Sequence, residues 1–303
     1  MSLHHKLKDL SNKLNDSILA KSQSKIDLSS GKKIYHYTNI AGLKGIIESS
    51  SLWLSDATFL NDSEELLDGK NIAEQRLEDK LRFCKDEDFK SVLELTKQGL
   101  EDEKQYANIF IASFSEANES LEQWRAYGDN GKGVCISFNL NNKMVFSKQI
   151  FKVIYDNGQK RDILDEIINS YADAFDNQSD KYHFDTKKLF SQFLLEDLRY
   201  KFILFKNEAF KTEKEMRLIH KLPKYFKLHK QLRFRLSNNI IVPYIITSDL
   251  IKNREFKPSI NSITVGLISH QQATIKSIEN LIKYSDYQND NIKVVSSKIP
   301  YRS

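Results

Sequence analysis

Cysteine and long apolar runs are scarce in this 303-residue sequence, and each scarcity excludes a class of protein. The two cysteines, Cys84 and Cys135, lie far apart and have no cysteine or histidine at metal-ligand spacing. This excludes a disulfide framework and a structural zinc knuckle. No apolar run is long enough to cross a bilayer, and the N-terminus lacks the apolar centre of a secretory signal. We therefore expect a cytoplasmic protein that does not enter a membrane.

Four common enzyme motifs are also absent. The sequence contains no G-x-x-x-x-G-K-[ST], G-x-G-x-x-G, G-x-S-x-G or H-E-x-x-H. Their absence excludes P-loop NTPases, Rossmann dehydrogenases, α/β-hydrolases and zincins. What is present is an ordinary globular composition, 40% apolar and 29% charged.

The charge is unevenly distributed along the chain. Between residues 56 and 104 acidic residues outnumber basic ones 15 to 8, and between 199 and 235 basic residues outnumber acidic ones 12 to 3. The region 199–235 could attract a polyanion, which makes a nucleic acid a candidate partner. The alternative that stays open is a set of charges that only solvate helix faces.

Hydrophobic periodicity predicts an α+β fold. Residues 1–30 are interpreted as an amphipathic helix followed by a loop. Residues 31–303 are predicted to form one domain, mainly helical at 64–104 and 160–210. Short β-branched and aromatic runs predict strands, among them 34–37, 52–54, 109–115, 133–138, 216–222 and 240–246. Because Pro243 cannot donate a ladder hydrogen bond, we expect the last of these to be an edge strand or interrupted.

The segment S-L-E-Q-W-R-A-Y-G predicts a short helix. Ser120 is placed to cap it and Gln123 follows three residues later, which is the capping-box pattern. Trp124 and Tyr127 lie three positions apart on this helix. They either anchor a core or offer a ring to a ligand, and the sequence leaves both readings open.

Four polar segments occur in an order typical of one bacterial family. They are I-Y-H-Y-T-N with F-L-N-D-S-E-E, F-S-E-A-N-E-S-L-E-Q-W-R-A-Y-G-D-N-G-K-G-V-C-I-S-F, F-K-N-E-A-F-K-T-E-K-E-M-R-L-I, and V-G-L-I-S. On these segments, over roughly residues 33 to 300, the chain resembles the domain-of-unknown-function 2971 (DUF2971) family. This resemblance implies a fold-level grouping and no particular reaction.

The stretch I-Y-H-Y-T-N-I-A-G-L-K-G-I-I-E-S-S-S-L-W-L is similar to the opening of ADP-ribosyltransferases with a His-Tyr-Glu site. Poly-ADP-ribose polymerases and the DarT toxins belong to that class. The resemblance implies a split β-sheet core, a helical middle insertion, and NAD as a substrate whose ADP-ribose passes to a macromolecule or to water. A toxin or anti-phage role would accompany such an activity. Ser50 or Ser51 stands where that class usually has a glycine.

The same resemblance assigns roles to residues at both ends of the chain. His36 would bond the nicotinamide ribose, and Thr38 or the backbone of Tyr37 would hold the carboxamide. Glu213 and Glu215 precede the strand predicted at 216–222, and two residues apart on a strand they would point to one side. Glu215 is favoured for stabilising the charged ribose and Glu213 for activating the acceptor, although the reverse assignment stays open.

Further candidates would complete the site. The rings that could stack on nicotinamide belong to Tyr37, Trp53, Trp124 and Tyr127. Arg125 and Arg217 could bind the pyrophosphate as forks, or Arg217 could instead clamp Glu215. Asn61 is a further cofactor-binding candidate, although it could simply cap the next helix.

Plainer alternatives accompany these roles. His36 could be a core histidine whose hydrogen bonds are satisfied, and the whole pocket could bind a nucleotide without catalysis. No metal is predicted, since acids clustered like Asp62, Glu64 and Glu65 usually stay solvated; a metal-dependent nuclease built on them is the weakest alternative.

Overall fold

A computed structural model describes residues 2–23, 32–59, 63–101, 109–139, 149–222, 231–237, 239–250 and 257–299, without the side chains of 19–23 and 63–66. In chain order the helices are α1 (Leu3–Gln23), α2 (Ile40–Ser49), α3 (Ser63–Phe83), α4 (Glu87–Leu100), α5 (Leu121–Ala126), α6 (Asn157–Asp176), α7 (Phe184–Phe202) and α8 (Gln271–Lys283). The strands are β1 (Lys33–Thr38), β2 (Trp53–Asp56), β3 (Ile109–Ser115), β4 (Val134–Asn139), β5 (Ile150–Lys152), β6 (Glu215–Lys221), β7 (Arg233–Ser237), β8 (Ile240–Ile246), β9 (Ile260–Val265) and β10 (Lys293–Ser296).

The chain forms two compact units, each assembled from separated stretches. The helical unit consists of Met1–Lys25, Leu60–Ala107 and Val153–Lys211. The sheet unit consists of Ile26–Phe59, Asn108–Lys152 and Thr212–Ser303. The division predicted from the sequence separates residues 1–30 from residues 31–303. In the structure, α1 shares a unit with helices from the middle of the sequence. The α+β class is confirmed.

In the helical unit, a buried polar cluster joins α1 to α6 and α7. The Asp197 carboxylate accepts hydrogen bonds from Ser11 Oγ (2.7 Å), Asn15 Nδ2 (3.1 Å) and Tyr171 Oη (2.7 Å). Lys201 Nζ donates to Asn15 Oδ1 (2.5 Å). Asp197 is only 2% exposed, so these bonds replace the hydrogen bonds to water that the carboxylate loses on burial.

In the sheet unit, the strand order is β10-β9-β4-β1-β3-β2-β8-β7, with β6 on the opposite edge of β3 and β5 beside β6. Only β9 and β10 run parallel among the pairs that the structure describes. The strands β1 and β2 share one edge of β3. The former meets β3 at the single pair Tyr35↔Ser115, and the latter pairs at Ser55↔Ile111 and Asp56↔Phe110. The sheet is therefore split between β1 and β3.

The apolar core of the sheet unit lies against one face of the sheet. Helix α2 buries Leu43, Ile46 and Ile47 there, and α8 buries Ile278 and Ile282 in the same cluster. Each such side chain stabilises the fold by roughly 1.5–3 kcal/mol. The same cluster includes Ile34 of β1 and Phe138 of β4, so this packing holds both strands in place.

The sequence predicted 240–246 as an edge strand or an interrupted strand, and both alternatives are wrong. Strand β8 lies between β2 and β7, is continuous from Ile240 to Ile246, and pairs with β7 through Pro243. Its pairing with β2 covers only 244–246 and stops before Pro243. The proline has no N–H to continue that ladder. No helix in the described part of the chain is long and apolar enough to span a membrane.

Candidate functional site

The split in the sheet unit opens into a hollow of about 350 Å³, which includes the part that is open to solvent. Strands β1, β3 and β6, helix α5 and the turn before β6 contribute its walls. The lining residues are Tyr35, His36, Tyr37, Ser113, Phe114, Gln123, Tyr127, Glu213 and Glu215. The hollow thus brings together residues from opposite ends of the sequence.

The His36 imidazole lies across the split. It belongs to β1, and its Nδ1 lies 2.8 Å from the carbonyl oxygen of Ser113 on β3. A carbonyl only accepts, so Nδ1 carries the proton and Nε2 is left as an acceptor. Burial lowers the pKa of His36; the Ser113 carbonyl opposes this shift, and the charge of Arg235 lowers the pKa further. The ring is therefore neutral at neutral pH.

Glu215, the first residue of β6, is held by a bidentate pair. Arg217 Nε donates to Glu215 Oε1 (2.7 Å) and Arg217 Nη2 donates to Glu215 Oε2 (3.0 Å). The arginine is 1% exposed and the glutamate 7%. Such a fork fixes the plane and direction of a carboxylate. This is the clamp that the sequence left open, and pyrophosphate binding by Arg217 stays a prediction.

Glu213 reaches the hollow by a route that the sequence did not predict. We expected both glutamates on one strand, but Glu213 ends a short 3₁₀ turn and Lys214 has a left-handed backbone with φ of 46°. Ser115 Oγ donates to the Glu213 carbonyl (2.6 Å), and Glu116 N donates to the Lys214 carbonyl (3.0 Å). These bonds hold a backbone conformation that costs about 1–3 kcal/mol, and they set both carboxylates on the hollow.

Helix α5 supplies two lining residues and one core residue. Ser120 caps it as predicted, since its Oγ accepts from Gln123 N (3.4 Å). Trp124 is 2% exposed and meets Tyr37 edge to face at 5.3 Å, so it anchors the core. Tyr127 instead lines the hollow, with its hydroxyl 3.5 Å from Glu213 Oε1. Of the two alternatives, the core position therefore applies to Trp124, and the position beside a space for a ligand applies to Tyr127.

Tyr37 fixes the loop that leads into α5. Its hydroxyl donates to the Ala117 carbonyl (3.0 Å) and accepts from Ser120 N (3.0 Å). Burial is the main reason why its pKa is raised far above the usual range. The side chain therefore positions a wall of the hollow.

Several predicted site residues lie elsewhere in the sheet unit. Thr38 ends β1 next to Gly42, Trp53 stacks on Tyr244 at 4.5 Å, and Arg125 is exposed on α5. None of these predicted residues lines the described hollow. Asn61 and Asp62, and the side chains of Glu64 and Glu65, lie outside the described residues, as do most residues of the predicted loop before residue 30.

Five residues at or near the hollow were missed by sequence reasoning. Four of them line it: Tyr35, Ser113, Phe114 and Gln123. The fifth, Arg235 of β7, donates from Nη2 to Ser55 Oγ on β2 (3.0 Å), and burial lowers its pKa. Alternation along β1 could have placed Tyr35 with Tyr37, but no local signal relates Arg235 to His36.

Two further predictions concern charge. Among the described residues, no three His, Cys, Asp or Glu side chains form a group that could hold a metal ion. In the basic region 199–235, four cations are at most 3% exposed, which removes them from any surface that attracts a polyanion. They are Arg199, Lys201, Lys206 and Arg217. Nucleic-acid binding by this region stays a prediction.

A family model described as a protein of unknown function (DUF2971) matches residues 123–218, about a third of the chain. The match confirms the predicted resemblance to that family, and the matched segment includes Gln123, Tyr127, Glu213, Glu215 and Arg217. No curated protein and no solved structure matches the chain. The resemblance to ADP-ribosyltransferases stays a prediction.

Proposed function

We propose that this chain is an ADP-ribosyltransferase-like enzyme, which breaks the nicotinamide–ribose bond of NAD and passes ADP-ribose to a macromolecule or to water. One observation supports this above all others. His36 and Glu215 line a single hollow together with Tyr35 and Tyr127.

The reaction needs a fixed negative charge beside the sugar. As the bond to nicotinamide breaks, positive charge builds on the ribose, and a carboxylate that is already oriented stabilises it without further reorganisation. Glu215 suits this role because Arg217 holds both of its oxygens. Glu213 lies at the same hollow and could accept a proton from the acceptor that attacks the ribose.

The opposite wall suits the uncharged parts of the substrate. A neutral His36 with Nε2 as acceptor can bond a ribose hydroxyl, as the resemblance implies. Tyr35 and Tyr127 are half-buried rings on which a nicotinamide can stack.

The residues that line the hollow limit which part of NAD it takes. None of the described residues that line the hollow is a lysine or an arginine, so we assign the nicotinamide and its ribose to it rather than the pyrophosphate. The pyrophosphate would lie outside, where cations near the opening could meet it. Arg235 is close enough to His36 to affect its pKa, and exposed Arg125 is a second candidate.

The test is nicotinamide release from NAD by purified protein and matched variants. Glu215→Gln keeps the shape of the side chain and should lower the rate about 100- to 1000-fold, the usual effect of removing one charge-stabilising group. His36→Ala should also lower it, and Glu122→Gln, an exposed change on α5, serves as the control. Equal release by all four proteins would overturn the proposal.

A non-catalytic nucleotide-binding module is the second candidate. The observation that favours it is the Arg217 fork, since a cation on both oxygens of Glu215 offsets part of the negative charge that catalysis would use. This candidate predicts that NAD or ADP-ribose raises the melting temperature while no nicotinamide is released. If instead only oligonucleotides bind, with affinity falling steeply as salt rises, the partner is a nucleic acid.

The biological setting is proposed on the same basis. A bacterial toxin or anti-phage role and a cytoplasmic location would follow from the NAD-cleaving activity. Toxicity of the wild-type gene in a bacterial host, lost in Glu215→Gln, would support this setting.

A further inference from the structure

The capping box predicted for α5 forms only in half. In a complete box the side chain of Gln123 would accept from the backbone N–H of Ser120. In the structure that N–H donates to the hydroxyl of Tyr37 at 3.0 Å, while Ser120 Oγ still caps Gln123 N. A long-range bond from β1 has therefore replaced the local one, and the Gln123 amide is released from its usual partner.

The released amide lies on the wall of the hollow. Gln123 is only 6% exposed and lines the same space as His36 and Glu215. Within the described part of the chain, no group makes a hydrogen bond to its side-chain amide. Because its residue is nearly buried and its amide has no partner among the described residues, a donor and an acceptor are in place for a ligand.

We propose that Gln123 is the specificity-determining residue of the site and reads the planar carboxamide of nicotinamide. This inference rests on the proposed function and assigns the carboxamide to Gln123 in place of Thr38 or the backbone of Tyr37.

The chemistry of the two amides is complementary. The Gln123 Nε2–H donates to the carboxamide oxygen, and the carboxamide N–H donates to Gln123 Oε1. Tyr127 lies four residues further along, on the same side of α5, so a ring stacked there would carry its carboxamide toward Gln123. A carboxylate in place of the carboxamide offers no donor and would meet the negative charges of Glu213 and Glu215.

The test measures binding of small probes and does not depend on turnover. Nicotinamide, benzamide, nicotinate and adenine are titrated by calorimetry into wild type, Gln123→Met and Gln123→Glu, with Glu122→Gln as the exposed control on the same helix. Methionine keeps the length and burial of the side chain and removes both polar groups. Glutamate keeps the acceptor and removes the donor, and melting curves check that each variant folds.

We expect wild type and Glu122→Gln to bind nicotinamide and benzamide, and to bind nicotinate much more weakly. Gln123→Met should weaken both amides at least about tenfold, because two hydrogen bonds are lost. If Gln123→Met does not fold, Gln123→Glu carries the same expectation in smaller measure. If Gln123→Met shows this loss of amide binding but wild type releases no nicotinamide from NAD, the result supports the role of Gln123 and overturns the proposed reaction.

Other outcomes overturn the inference. Unchanged nicotinamide affinity in folded Gln123→Met and Gln123→Glu would show that another group reads the carboxamide, while NAD cleavage stays intact. Binding of adenine that depends on Gln123, without binding of nicotinamide, would assign the amide to a base edge. Binding of none of the four probes would remove the carboxamide site altogether.

Discussion

The two units contain buried polar groups of opposite kinds. In the helical unit, the Asp197 carboxylate accepts three hydrogen bonds from side chains on α1 and α6. In the sheet unit, Gln123 and His36 line a hollow, and a fork from Arg217 holds Glu215 at its wall. Polar groups saturated by the chain itself serve stability. Those presented to an open space have hydrogen bonds to offer a ligand.

We expect a substitution of Arg217 to have the largest effect, because this residue contributes both to stability and, by holding Glu215, to the hollow. Arg217→Met leaves the Glu215 carboxylate buried without its fork, which should destabilise the sheet unit by about 3–5 kcal/mol and abolish nicotinamide release. Denaturant unfolding measures the first effect. Lys276→Met, an exposed change on α8 of the same unit, is the control. If the double variant Arg217→Met with Glu215→Gln does not recover most of the lost stability, the loss of the fork on the Glu215 carboxylate is not the cause.

Asp197 should show the opposite division of effects. Asp197→Ala removes the buried acceptor of Ser11 on α1 and Tyr171 on α6, and we expect a loss of about 2–3 kcal/mol in the free energy of unfolding. Nicotinamide release per folded molecule should be unchanged, because the cluster belongs to the helical unit. A large fall in the rate of folded Asp197→Ala would contradict the separation of roles.

His36 predicts a smaller, pH-dependent effect. Its folded pKa is lowered, so as pH falls below about 6.5 the unfolded chain gains this proton first and the folded state loses stability, down to the lowered pKa. His36→Asn lacks this term, so the difference in unfolding free energy between wild type and variant should shift against wild type on acidification. A constant difference between pH 7 and pH 5 would show that the imidazole is not neutral in the fold.

We expect the smallest effect from a substitution of Arg235, which tests how a nearby charge influences the pKa of His36. Removing its charge with Arg235→Met should raise the pKa of His36, because the nearby guanidinium disfavours the protonated ring. The shift is measured by NMR titration of the imidazole. Arg233→Met, on the same strand and paired with Asp249, is the matched control and should leave the His36 titration in place.

Elements that depend on local pattern were predictable from the sequence. The strand at 109–115 was placed at its observed bounds, because a β-branched and aromatic run has few alternatives. The Ser120 cap was also local, and the structure confirms it. Pro243 was misleading, because β8 is continuous through it and a sequence cannot show that another strand lies beyond it.

Site residues were predictable only where they belong to a recognisable sequence motif. His36 and Glu215 were named from separate segments, and the structure brings both to one hollow. The left-handed turn at Lys214 and the contact of Arg235 with Ser55 depend on strands that pair over long sequence separations. The role of Gln123 was hidden because a local rule, the capping box, was overridden by the hydroxyl of Tyr37.

The most direct test of the account is a time course of NAD incubated with the protein, followed by the proton NMR signals of the nicotinamide ring. The account predicts that wild type converts NAD to free nicotinamide and that folded Glu215→Gln does so about 100- to 1000-fold more slowly. Free nicotinamide appearing at the same rate with both proteins, or with neither, would contradict it.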